Sequence, residues 1–588
     1  MAASEYLLRH AIVSEDALYS AYAECCGVPF IPDKGFRPLS VNDVPIALGN
    51  ATSGPLLIGV TKRFPYYVIA PTVDQFREVQ KHLSAYPELA QKIRITTPQA
   101  LRHAASVLQT PAGDLESRFP EFSARFRFST SQIWGVGTVV AAFFIGMVLP
   151  LSVVFHASAL VFSVLCIVIG IARWMSAHAT EFEKITTHLP NEFNDPLINW
   201  PRYTVLVPLY REAASAESLI SGLDALDYPK DQLDIRFLVE RDDEATRDAL
   251  RAYLLPHMTI VTVPPGYPRT KPRALAHGLA SAAGDLVTIY DAEDLPQPDQ
   301  LKKAAVIFAL GPESLGCLQA RLAIDNSSES FLSRQFAFEY ACLFDQLIPW
   351  FNQLSWPFPL GGTSNHFKKA VLDSIGGWDK YNVTEDADLG IRLARFGYTT
   401  GVLTSTTYEE APIAWAAWLY QRARWYKGWL HTLCVHFRQP VRTVKEIGGI
   451  RFCAIITLVG GGLLMIALHP FVALTFAGYG MGFIPLPSSS SFIKDLFLGT
   501  CVSSATIGYL GSAWAAWRAA RRRGYRPSVV DLVLMPVYWI CASIAFYRAL
   551  WEFLITPYSW NKTSHGISRM RAAHAWLRKP PTPERPVD

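Results

Sequence analysis

Three clusters in this 588-residue chain have residue types and spacing that could do chemistry. The first is "LVTIYDAED", in which an apolar strand over 286–290 delivers Asp291, Glu293 and Asp294 to its end. Carboxylates there suit Mg2+ or Mn2+, ions that take one or two protein carboxylates plus substrate phosphates. An ordinary solvated turn would also be acidic. The second is "YNVTEDADLGIRLARFG", residues 381–397. Asn382, Thr384 and Asp386 are turn or cap formers, and Leu389, Ile391, Leu393 and Ala394 follow at roughly helical spacing. Glu385, Asp386 and Asp388 therefore crowd the mouth of a helix. Each carboxylate there is favoured by ~0.3–1 kcal/mol; the alternative is that one of them is a catalytic base. The third is "EEAPIAWAAWLYQRARWYKGWLHTLCVHFRQP", where Trp415, Trp418, Tyr420, Trp425, Tyr426 and Trp429 interleave with Arg422, Arg424 and Lys427. Such helices lie at a bilayer surface, although Trp415 and Trp418 would also suit a core.

Composition limits the classes these clusters can belong to. Half the residues are hydrophobic and 18% are charged, and the mean hydropathy is +0.16. That balance indicates a membrane protein with soluble parts. A net charge of +4 gives no sign of a nucleic-acid partner. Nine scattered cysteines without a Cys-x-x-Cys suggest neither a disulfide framework nor a zinc site. The polar, mixed-charge start "MAASEYLLRHAIVSED" does not read as a secretory signal.

Residues 1–125 read as a small soluble α/β domain with a regulatory or docking role. Ser14 caps a first helix, and 55–83 run strand, turn, strand, helix. Residues 133–175 are long and apolar enough for two transmembrane helices turning at His156, Ala157 and Ser158, since a span needs about 20 residues. The flanking Arg125, Arg127, Arg173 and Lys184 put both ends inside. Residues 200–410 alternate strands and helices, which predicts a parallel sheet with helices on both faces and ligands beyond the carboxyl ends of the strands. Residues 411–445 form the amphipathic interface segment and 452–556 a second membrane region. The spans there are 452–477, with a kink expected at His469 and Pro470, and 496–517. The stretch 529–546, interrupted by Asp531 and Pro536, is a fifth span or an interfacial or re-entrant helix. Residues 557–588 end in a Pro-rich tail expected to be disordered.

The order of the motifs is the specific signal. Asp291-x-Glu293, "GGTSNHF" (361–367), "TED" (384–386) and "QRARW" (421–425), with membrane helices on both sides, resemble the processive family 2 glycosyltransferases, the cellulose, hyaluronan and chitin synthases. The resemblance implies a GT-A-like α/β domain inserted between transmembrane helices, a nucleotide-sugar donor and a growing polysaccharide acceptor. It implies that Asp291 and Glu293, or Asp294, hold Mg2+ or Mn2+. Asp386 would be the base, with Glu385 positioning the loop and Asp388 favouring the helix start. Gly361, Gly362, Thr363, Ser364 and Asn365 would lie near the acceptor, and Trp425 would stack on its terminal sugar. Gln421 and Arg424 would face the diphosphate. Tyr210, Glu212, Glu240 and Asp242 are candidates for the base and ribose, and Lys271 for a donor contact, against a solvated helix start for Lys271 and Arg273. "WNKTSHG" resembles the family's gating segment, with Lys562, Thr563 and His565 closing over the donor phosphates from the cytosol.

The order of elements in residues 1–125 resembles the N-terminal domain of type II secretion ATPases, some of which bind cyclic di-GMP. That makes cyclic di-GMP or a protein a possible partner. The expected location is a bacterial inner membrane, with the N-terminal and transferase domains cytosolic. Three readings stand: polymerisation from a UDP-sugar, with UDP-glucose first by family frequency, and export through the chain's own helices; transfer of one or a few sugars to a lipid or other carrier; and a scaffold in a secretion or receptor system with a decayed transferase.

Overall fold

The structure is a computed structural model that describes residues 13–32, 56–58, 66–71, 75–97, 114–135, 137–138, 141, 151–179, 200–483 and 491–559. In the N-terminal part the helix Glu15–Cys25 is capped as expected, the Ser14 hydroxyl accepting the Ala17 N–H at 3.2 Å. The strands Leu56–Ile58 and Tyr66–Ile69 and the helix Phe76–Ala85 follow in the expected order. A third strand, Ile93–Ile95, pairs parallel to Tyr66–Ile69.

The first apolar helix, α1 (Leu151–His178), runs unbroken through 156–158, so no turn falls at His156, Ala157 and Ser158. The His156 ring instead packs against Tyr479 and Phe497, with centroids 5.7 and 5.2 Å away. An apolar aromatic neighbourhood holds this histidine within a helix where a turn was expected from its polarity.

The central domain is built on eight strands: β1 (Tyr203–Leu209), β2 (Leu233–Glu240), β3 (Met258–Val263), β4 (Leu286–Ile289), β5 (Leu295–Pro296), β6 (Leu315–Ile324), β7 (Asn365–Lys368) and β8 (Thr399–Glu409). Their order in the sheet is β3-β2-β1-β4-β7-β6-β8-β5. The first four are parallel, as expected. The sheet as a whole is mixed, because β7 runs antiparallel to both β4 and β6. This reversal matters for the site. It brings the chain entering β7 to the same edge as the carboxyl ends of β1, β2 and β4. The side chains of β1 and β2 are almost wholly buried, as a strand covered on both faces requires.

Helices α2 (Lys271–Ala280), α3 (Phe331–Cys342), α4 (Glu385–Arg395) and α5 (Trp415–His436) complete the domain. Beyond it lie α6 (Gly449–Gly480) and α7 (Asp495–Arg522). Among the described residues, three helices are long and apolar enough to cross a membrane, in α1, α6 and α7. Leu474, Phe476, Val502 and Leu510 point apolar side chains outward from α6 and α7.

The stretch 529–546 is not one helix. Ser528 and Asp531 form a capping box that opens a short turn, Val529–Val533, and Pro536 sits in the first turn of α8 (Met535–Ile555). The two residues that interrupt the apolar pattern thus mark helix starts, where a proline's missing N–H costs nothing. α8 packs on α5 and α6 through Trp418, Tyr426, Leu463, Tyr538, Ala542 and Phe546. Rivets join the domain to the helices beyond it: Arg523 grips Asp345, Arg334 pairs with Asp531 at 3.0 Å, and Gln346 donates to Ala515 O at 3.1 Å.

Candidate active site

The site lies where the ends of β1, β2 and β4 meet the chain entering β7. The Ser364 N–H donates to Ile289 O at 2.9 Å, and the Thr363 hydroxyl donates to the same carbonyl at 3.1 Å. These bonds lay the "GGTS" loop directly beside the "DAED" turn. The acids of that turn divide. Asp294 is buried; its carboxylate accepts the Asp291 N–H at 2.7 Å and the Thr363 hydroxyl. Burial, with Asp291 and Glu293 nearby, raises its pKa well above the usual carboxylate range. Asp294 therefore faces into the turn and holds it together. Asp291, 31% exposed, and the half-buried Glu293 are the two carboxylates that face outward. Two are enough for an octahedral ion that takes its other ligands from phosphate and water. Among the described residues, no group of three or more His, Cys, Asp or Glu is set to enclose a metal.

The acceptor loop divides in the same way. Thr363, Ser364 and Asn365 are buried. Ser364 bonds the Thr407 hydroxyl at 2.6 Å, and Asn365 donates to Gly361 O at 2.6 Å. These three polar side chains hold the turn, and of the five expected at the acceptor only Gly361 and Gly362 remain partly open.

Lys271, at the first position of α2, links the two clusters. Its ammonium lies 2.6 Å from Asp291 and donates to Gly362 O at 2.7 Å. Burial opposes its charge, but Asp291, Glu385 and Asp386 outweigh burial and raise its pKa. A Cβ placed on Gly362 would stand 3.3 Å from Asp386 Oδ2 and 3.9 Å from the Lys271 ammonium. Gly362 thus lies between the lysine and the second acidic cluster.

That second cluster sorts by burial. Glu385 is 4% exposed and Asp388 is 0% exposed, while Asp386 is the one of the three that is not fully buried. Burial pushes Glu385 up to about 8, against the pull of Lys271. Burial also raises Asp386, opposed by the Ala387 N–H at 2.8 Å and by the charges of Lys271 and Arg424. Asp388 stands in the first turn of α4 as expected, and its carboxylate also has partners elsewhere. It pairs with Arg392 at 2.9 Å and with His436 of α5 at 2.9 Å. Burial would raise its pKa, but these partners prevail and lower it. The first turn of α4 is otherwise set by Asn382, whose side-chain oxygen accepts the Thr384 N–H at 3.1 Å.

Two glycines press α4 into place. A Cβ on Gly390 would sit 2.2 Å from Phe358 O, and one on Gly428 of α5 would sit 2.1 Å from Thr384 Oγ1. The "TED" segment is therefore clasped between the chain leading to Gly361 and the helix carrying "QRARW".

Within "QRARW" the two arginines differ. Arg422 is buried, salt-bridged to Glu339, and stacked over Phe336 and Trp425 at 4.3 and 4.7 Å. Arg424 is half-buried with no hydrogen bond or ion pair among the described residues, yet its charge acts on Asp386 and Glu385. Gln421 is buried, with its side-chain oxygen unpaired among the described residues. Trp425 is half-buried, stacked parallel to Tyr340 at 6.4 Å; part of its face belongs to the core.

At the first two strand ends, Glu240 is buried, and both its carboxylate oxygens accept from Arg273 Nη2, at 2.6 and 2.7 Å. Arg273 is thus a partner of Glu240 and not a solvated helix start. Asp242 is exposed and pairs with Arg269, which lowers its pKa through their hydrogen bond. Arg269 also lies over the Tyr210 ring at 4.9 Å. Glu212 is half-buried, its N–H donating to the Thr246 hydroxyl at 2.9 Å. Arg269 was not singled out by sequence, and Lys427 only as one of the basic residues interleaved with the aromatics. Lys427 binds Glu552 at 3.0 Å and Ser559 O at 2.8 Å. Their only sequence signal is a basic residue beside a motif, which many solvated positions share. Lys562, Thr563 and His565 lie outside the described residues.

A mixed sheet with parallel strands leading to paired acids, an antiparallel strand behind them and a second acid at a helix mouth is a GT-A-like glycosyltransferase arrangement. Residues 201–428 match the family described as glycosyltransferase like family 2. The relatives agree. The probable glycosyltransferase YdaM of Bacillus subtilis is 28% identical over 240 residues, covering 39% of this chain and 55% of its own length. The beta-monoglucosyldiacylglycerol synthase of Synechocystis sp. is 29% identical over 262 residues, 42% of this chain and 53% of its own. The chain thus spans about half the length of these curated relatives. A solved mannosyltransferase, PcManGT of Pyrobaculum calidifontis, in complex with GDP-Man and Mn2+, is 18% identical. It covers 68% of this chain and 99% of its own, with a TM-score of 0.37.

Proposed function

We propose that this protein is a membrane-integrated, inverting hexosyltransferase that polymerises sugar from a nucleotide-sugar donor, UDP-glucose or another UDP-hexose first, and passes the β-linked product through its own helices. The reading rests above all on one observation. Asp386, the least buried acid of its cluster, lies against Gly362, and Lys271 joins that glycine to Asp291.

In this reading Asp386 takes the proton of an acceptor hydroxyl. The hydroxyl oxygen bonds to the anomeric carbon as the bond from that carbon to the diphosphate oxygen breaks, with the electron pair leaving on the diphosphate. One such displacement inverts the centre. Asp291 and Glu293 would hold Mg2+ or Mn2+, which supplies positive charge to the leaving diphosphate when bound. Lys271 and Arg424, which has no ion pair among the described residues, add cations on the same side. Support for a membrane-facing acceptor comes from α5: the helix that carries Trp425 also packs against α6 and α8 through Trp418 and Tyr426.

A second reading, transfer of one sugar to a lipid, is favoured by the name of the Synechocystis relative. Purified protein incubated with UDP- and GDP-sugars and Mg2+ or Mn2+, with and without cyclic di-GMP for a regulatory N-terminal domain, decides between them. A polymer ladder alongside nucleoside diphosphate release is the expected result; a single glycosylated lipid selects the second reading. Binding of UDP without turnover of any UDP-sugar would leave the scaffold reading standing.

A further inference from the structure

Residues 114–127 stand between the N-terminal sheet and the first apolar helices, and the chemistry above does not use them. They form the short helix Leu115–Arg118 and the turn Pro120–Phe122 and grip the rest of the chain at several places, three of which bear on the site. The first is the approach to "TED". Lys380 pairs with Asp114 at 2.6 Å and Glu116 at 2.8 Å, and the buried Asp379 carboxylate accepts the Ser123 hydroxyl at 3.2 Å and the Ala124 N–H at 2.5 Å. The second is the residue group just past α5. The Arg438 guanidinium donates to Pro120 O at 3.4 Å, Glu121 O at 2.7 Å, Ser123 O at 3.2 Å and Phe126 O. The third is the end of α8. Tyr558 donates to Arg125 O at 2.8 Å, and Arg127 donates to Phe553 O and Leu554 O, both at 3.1 Å. The Lys380 carbonyl is itself held by the Thr270 hydroxyl at 2.8 Å, one residue before Lys271.

We infer that residues 114–127 are a positioning strap that holds the Asp386 loop, the helix bearing Arg424 and the end of α8 in register, so that its grip sets turnover without touching substrate. The inference rests on the reading of Asp386 as the proton acceptor. These contacts fix three pieces distant in sequence to one short segment, and an error of about 1 Å in reacting geometry can cost ~10²-fold in rate. Backbone carbonyls facing one guanidinium give the strap a defined seat, because each bond to a charged donor is stronger than a neutral one.

The test uses the full-length protein in detergent or nanodiscs. Arg438→Met removes the seat and keeps the bulk; Arg438→Lys restores the charge but not the planar fork. For Arg438→Met, kcat for nucleoside diphosphate release should fall roughly tenfold, with donor KM and the number of donor-binding sites unchanged. Amide exchange in 379–388 should quicken, and Arg438→Lys should recover part of both. Unchanged kcat despite faster exchange overturns the strap, as does a kcat loss matched by an equal loss of donor-binding sites. Asp386→Asn run alongside separates the two ideas. If it is inactive and Arg438→Met is normal, only the strap fails. If Asp386→Asn turns over normally, the assignment of the base fails, and the strap's catalytic role with it.

Discussion

At the residue scale the acids of "TED" and its neighbour have different fates, and each fate gives a prediction. Asp386→Asn should lower transfer by about 10²–10⁴-fold, the range for loss of a general base, while calorimetric nucleoside diphosphate binding is retained. Asp386 acts in its ionised form, so activity is present above its pKa and lost as pH falls through it. Because burial raises that pKa, the acid limb of the kcat profile should lie above the ordinary aspartate value of about 3.9. Lys271 pulls the same pKa down. Lys271→Met should therefore move the acid limb further up as well as slow the reaction, and a pH series on the two proteins reads the difference. An acid limb that stays in place would separate Lys271 from Asp386. Chelation should stop turnover, and Mn2+ or Mg2+ should restore it in wild type but not in Asp291→Asn.

At the scale of elements, α4 is fixed by its neighbours more than by its cap. Asp388, Arg392 and His436 form a buried charged group between α4 and α5. Removing one partner from such a group typically costs about 3–5 kcal/mol, so Asp388→Asn should lower the thermal midpoint clearly even though it is not at the reacting atoms. Gly428→Ala tests the contact of α5 with "TED". The added methyl meets Thr384 Oγ1 at 2.1 Å, and overpacking of this kind costs typically about 1–3 kcal/mol. Turnover should drop while donor binding persists, because the displaced residue, Thr384, leads into Asp386 and not into the nucleotide shelf. The α/β alternation, the strand before "DAED" and the helix after "TED" were legible from period and turn residues. The reversal of β7 was not: four residues, Asn365–Lys368, carry no directional signal, and only pairing with β4 and β6 sets their sense.

At the scale of the whole molecule the α/β domain and the helices beyond it are one structure. Arg523–Asp345, Arg334–Asp531 and the α5–α8 apolar contact all cross between them. The protein should stay with membranes after alkaline extraction and need detergent for release. A fragment of residues 200–440 should aggregate, since it would expose the α5 face that α6 and α8 cover; a soluble, monomeric fragment in gel filtration would contradict this. A cysteine introduced at Ser564, outside the described residues, should be labelled from the cytosolic side if "WNKTSHG" serves the donor. Labelling only from the opposite face would end the gating proposal.

The sequence alone determined the chemistry that is present: an acidic strand end, "TED", "QRARW" and apolar stretches around an α/β domain. These are properties of residue type, period and order, which a linear chain carries openly. Only the tertiary structure decided which member of each cluster is free to act. Asp294, Glu385, Asp388, Glu240 and Arg422 are turned inward and neutralised or paired, whereas Asp291, Asp386 and Arg424 stay within reach of solvent. The physical reason is that a charged side chain's role depends on whether a partner far along the chain meets it. Arg273 for Glu240, His436 for Asp388 and Glu339 for Arg422 come together only when the sheet and helices close.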